Sequence, residues 1–127
     1  MNVLRDTHRA LSPGGFLLDF HPIAPPWPRV VADEMELGEL REEKFLDDLQ
    51  AGEAGMREAV RLGLFDHVAE RAHEVAEHYD DSSELLDVWS NDDEAWMSPD
   101  LERRLRSTTD PVDVVERLVF CLYRRPD

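Results

Sequence analysis

Leu4, Thr7, His8 and Leu11 recur at helical spacing, Pro13-Gly14-Gly15 cannot continue a helix, and Phe16-Leu17-Leu18 begins an apolar run of strand length. Leu4 to Pro22 therefore reads as helix, tight turn and buried strand. Four prolines then fall within Pro22 to Pro28, fixing φ and removing donors, so this segment is expected to be a stiff, extended connection. Residues 29 to 42 carry Val30-Val31 and Met35-x-Leu37 with Gly38 among acidic residues, which predicts a short β-hairpin or two edge strands. From 43 to 62 the apolar residues Phe45, Leu46, Leu49, Met56 and Val60 follow helical spacing. Gly52 and Gly55 weaken the middle of that helix by up to about 1 kcal/mol each relative to alanine.

Val68, Ala69, Ala72, Val75, Ala76 and Tyr79 form one stripe that on periodicity alone is an amphipathic helix. Ser82 or Ser83 can cap a following helix from Glu84 to Asn91, with Leu85, Leu86, Val88 and Trp89 facing inward. Ser98-Pro99-Asp100 starts another, with Pro99 at its first position and Leu101 and Leu105 on its buried side. Val112 to Arg124 is rich in β-branched and aromatic residues and reads as a long buried strand. There is no internal repeat.

Leu4, Arg9, Leu11, Pro13, Gly14 and Gly15 together resemble the late part of class I S-adenosylmethionine-dependent methyltransferases. There a helix carrying L-x-E-x-x-R-x-L is followed by x-P-G-G and a hydrophobic strand; Asp6-Thr7 stand where that family often has an acidic residue. The likeness is closest over roughly the first 22 residues, and a looser one, to the acidic C-terminal portions of some bacterial methyltransferases of unassigned substrate, runs through the rest. It implies an α+β fold, a partial α/β unit in which helix, Pro-Gly-Gly and strand pair with an antiparallel C-terminal strand, with an inserted hairpin and several helices. Phe16 to Phe20 would then lie against Leu118 to Tyr123. A single domain over residues 1 to 127 is implied, with helix-turn-strand at 1–22, an inserted α+β region at 23–111 and the terminal strand at 112–125. For Ala72 to Tyr79 the resemblance implies a strand, ending before Asp80-Asp81-Ser82 and the next helix. Periodicity disagrees, and the strand is preferred.

The family cradles its cofactor on a glycine-rich loop that would lie upstream. The six glycines here, Gly14, Gly15, Gly38, Gly52, Gly55 and Gly63, form no G-x-G, and the flanks of Gly52 and Gly55 are helical. No cofactor-binding residue carries over, and S-adenosylmethionine is expected only if a missing N-terminal half completes the fold. The opening unit also lies so close to Met1 that no such half is expected within this chain. The expected function is thus that of a methyltransferase-like C-terminal fragment or separately encoded half, unable to transfer methyl groups alone. The alternative is a non-enzymatic protein-interaction or small-ligand-binding module. Unpaired strand edges in either case call for a partner, a second copy in a homodimer or a chain supplying the missing half.

With 42% hydrophobic residues in 127, the chain is long enough to bury a core of its own. Its net charge of −15 excludes nucleic acid and anionic membranes as expected partners, because carboxylates repel another polyanion. No apolar run approaches the roughly 20 residues of a bilayer span, and no signal-peptide layout opens the chain, so a cytoplasmic location is expected. The lone Cys121, within Leu118 to Tyr123, reads as a core residue.

His73-Glu74-Val75-Ala76-Glu77-His78 differs from the H-E-x-x-H zinc signature by one residue. On a helix at about 100° per residue its two imidazoles diverge, and on a strand they take opposite faces, so no metal site is expected there. Asp19 and His21 stand toward the C-terminal end of the first strand, the side on which open α/β sheets bind ligands. His21 is the best catalytic candidate, a base for a nucleophile awaiting methylation. Asp19 and Trp27, the latter a possible pocket wall, complete the substrate-binding candidates. The acidic loop Asn91-Asp92-Asp93-Glu94 lacks the glycine and distal glutamate of an EF-hand and reads as solvated.

Overall fold

The computed structural model describes residues 2–91 and 95–127; the acidic stretch 92–94 lies outside the described residues. Four helices and six strands make an α+β fold in the order α1 (Asn2–Ala10), β1 (Phe16–Pro22), β2 (Arg29–Ala32), β3 (Met35–Arg41), α2 (Glu43–Arg61), β4 (Asp66–Tyr79), α3 (Ser82–Ser90), β5 (Trp96–Met97), α4 (Pro99–Ser107) and β6 (Val112–Arg124). The chain divides into two compact units, one of Met1–Pro22, Asp47–His73 and Leu118–Asp127, the other of Ile23–Leu46 and Glu74–Arg117. The long strands β4 and β6 contribute one end to each.

In the first unit β1 pairs antiparallel with β6 over its whole length, Phe16 opposite Arg124, Asp19 opposite Cys121 and Pro22 opposite Leu118. Gly14 makes the turn possible: its φ of 79° is a left-handed conformation that side chains disfavour. The pairing continues past the strand, with Gly14 N–H donating to the Arg125 carbonyl and Arg125 N–H donating back to Gly15. The Arg125 guanidinium then donates to the carbonyls of His8 and Leu11, groups left open by the end of α1. Phe65, fully buried, meets His8 and Tyr123 edge-on, and Met56 and Ala59 of α2 are buried in the same unit.

In the second unit Asp33 and Glu34, at φ of 48° and 63°, form the two-residue turn of a β2–β3 hairpin, the conformation whose twist matches its strands. β2 pairs with Asp113 to Val115 of β6, and β3 with β5. Val30, Ala32, Leu40, Leu85, Leu101, Leu105 and Val112 form its core, with Tyr79, Leu86 and Trp89 packed against them. The Ser82 hydroxyl, buried, donates to the Leu105 carbonyl and joins α3 to α4.

Several expectations change. The strand preferred over Ala72 to Tyr79 is present but starts earlier, running from Asp66 to Tyr79 and pairing with β6, against the helical periodicity of its stripe. Residues 66 to 78 are exposed, and the ladder to β6 satisfies backbone donors and acceptors there. β1 is not buried throughout, since Phe16, Leu18 and Phe20 alternate outward. Val88 also points to solvent while Leu85 is buried, because α3 packs along one stripe. No described helix is long and apolar enough to cross a membrane.

Candidate functional site

Strand alternation places Asp19 and His21 on one face of β1, and the antiparallel register sets Cys121 opposite Asp19 on β6. Asp19 sits in mid-strand rather than at the end, because β1 runs on to Pro22. His21 Nδ1 lies 3.0 Å from Asp19 Oδ2, and its Nε2 lies 3.4 Å from Glu53 Oε1, carried by α2. The Asp19 hydrogen bond fixes the ring's orientation, and the Glu53 carboxylate lies near its other nitrogen.

Beside this triad, the Cys121 thiol donates to Glu70 Oε1 at 3.3 Å. Burial, reinforced by the bond to Glu70, pushes the thiol up to about 11, so Cys121 is no thiolate nucleophile in this state. Tyr123, two residues on and buried on the same face, is pushed up to about 12, chiefly by burial and then by the neighbouring sulfur. The His67 ring stacks on Tyr123 at 5.1 Å with 30° between planes. His67, Glu70 and Cys121 bring one ligand atom each to within 4.8 Å of one another.

Of the residues singled out in the sequence, Asp19 and His21 are brought together, whereas Trp27, half-buried, belongs to the second unit. His73 and His78 part company: His73 meets Phe120 edge-on, and His78 bonds Asp113 and Asp80. Glu53, His67, Glu70 and Tyr123 were not foreseen. Cys121 and Tyr123 are readable once the expected β1–β6 pairing is laid out in register. Glu53 carries no local signal, and His67 and Glu70 are hidden by the helical periodicity of their own segment.

The opposite face of these strands is apolar and open. Phe16, Leu18 and Phe20 are 57, 59 and 63% exposed, and their ladder partners on β6 include Leu122 and Phe120. Phe20 and Phe120 stack at 5.7 Å. Searches against family models and curated proteins find no match for this chain.

Proposed function

We propose that this chain is the C-terminal half of a fold like that of the class I methyltransferases, working with a cofactor-binding half contributed by polypeptide beyond these residues. The observation that carries this reading is the open apolar face of Phe16, Leu18 and Phe20. α/β sheets of the resembled kind are covered by helices on both faces. Here α2 reaches the Asp19–His21 face through Glu53, while Phe16, Leu18 and Phe20 on the other face stay more than half exposed. Among the described residues β1 has a ladder partner only in β6, leaving its second edge for another strand. The antiparallel last strand beside the strand after Pro-Gly-Gly supports the same reading.

In such an assembly the cofactor supplies the methyl group, and this chain supplies position and a base. His21, its Nδ1 held by Asp19, would accept the proton of the acceptor's nucleophile on Nε2 once that nitrogen leaves its longer contact with Glu53. A non-enzymatic module pairing with its own copy would use the same apolar face. The net charge of −15 makes that pairing costlier than one with a less acidic half. The single cysteine, unpaired, suits a cytoplasmic setting.

Calorimetric titration with S-adenosylmethionine tests the reading on two proteins: the 127-residue chain, and the same chain joined to the polypeptide coded directly upstream. Binding is expected for the longer protein alone. Binding by the shorter one would place cofactor contacts within it and overturn the division into halves, and binding by neither would overturn the methyltransferase reading.

A further inference from the structure

We propose that His67, Glu70 and Cys121 form a mononuclear site for a zinc-type divalent ion, bridging β4 and β6 and leaving a fourth position to solvent. All three belong to the first unit, and their ligand atoms lie within 4.8 Å of one another. Tetrahedral zinc with ordinary nitrogen, oxygen and sulfur bond lengths sets its ligand atoms roughly 3.3 to 3.8 Å apart. The Cys121 sulfur and Glu70 Oε1, at 3.3 Å, already stand at that separation. His67 is exposed, and its ligand atom lies within 4.8 Å of the other two.

The surroundings suit a cation. Tyr123, buried on the same face as Cys121, stacks on the His67 ring at 5.1 Å and sets it beside the sulfur. Asp19, opposite Cys121 in the ladder, adds negative charge close by. The donor set decides which cation: sulfur and imidazole with one carboxylate select zinc or cobalt over magnesium and calcium, which want oxygen alone. On binding, the metal–sulfur bond replaces the S–H bond, and the thiol proton leaves to solvent. Because Glu70 and His67 are exposed while Cys121 is buried, the ion enters from the β4 side and meets the sulfur last.

This site stands apart from the methyltransferase reading, and its test needs no cofactor. Cobalt(II) titrated into the 127-residue chain should bind one ion per chain, give the near-ultraviolet absorption of a thiolate–cobalt bond, and be displaced by zinc. Cys121→Ser should abolish that absorption. His67→Ala and Glu70→Gln, at exposed positions that leave the fold intact, should each weaken binding by about tenfold or more, whereas His73→Ala should leave it unchanged. Should Cys121→Ser fail to fold, the two exposed variants decide the matter. Cobalt bound without the thiolate band, or bound equally well by His67→Ala and Glu70→Gln, would show adventitious binding to the acidic surface and overturn the proposal.

Discussion

His78 shows how much a single side chain depends on partners distant in sequence. Its Nδ1 lies 2.7 Å from Asp113 and its Nε2 2.9 Å from Asp80, and these hydrogen bonds, Asp113's first, raise its pKa above the ordinary histidine value. A group whose folded pKa is raised stabilises the fold fully below its unfolded pKa of about 6.5, and that contribution is lost as pH rises through the folded value. The wild type should therefore exceed His78→Gln in melting temperature at pH 5.5, with the gap closing toward pH 8.5. A gap that widened with pH would contradict the assignment. Asp80 was readable as a neighbour of His78, but Asp113 enters only because β6 lies beside β4.

Among the elements, the helix starts were the most legible, because capping is local chemistry. Asp81 accepts from Ser83 N–H at the start of α3, one residue before the serines expected to cap it. At α4, Ser98 accepts from Leu101 N–H at 3.0 Å with Pro99 following, as the sequence indicates. Ser98→Ala should cost about 1 kcal/mol, since it frees one helix donor while Leu101 and Leu105 stay buried. In urea unfolding the midpoint should fall with no change in slope, and Ser98→Asp should restore it. β4 was the least legible element. Its alanines and valines fit a helical stripe, so periodicity misleads; the resemblance indicates a strand for Ala72 to Tyr79, and pairing with β6, a long-range backbone contact, stabilises it from Asp66 on.

For the whole molecule, the decisive property is a sheet face left open. Leu18→Glu changes a side chain that is already more than half exposed and should shift the isolated chain's stability by less than about 0.5 kcal/mol, whereas Phe20→Glu should cost about 1 kcal/mol because it also loses the stack on Phe120. Both should reduce binding of an apolar fluorescent dye, as the patch they interrupt is what the dye would occupy. For Leu18→Glu, a melting temperature lowered by more than roughly 5 °C would instead mean that this residue is packed in the free chain.

What the sequence determined by itself was local: the helix-turn-strand opening, the β2–β3 hairpin, the start of α4 and the long C-terminal strand. Each rests on spacing, proline and glycine placement or capping within a few residues. The resemblance to a methyltransferase C-terminal half added the antiparallel pairing of β1 with β6. Only the tertiary structure decided the rest: the extension of β4 back to Asp66, His21 between Asp19 and Glu53, and Cys121 beside Glu70 and His67. The reason is physical. A strand gains its backbone hydrogen bonds from a partner elsewhere in the chain, and a site on its face is assembled by register, which one residue's slip would turn to the other side.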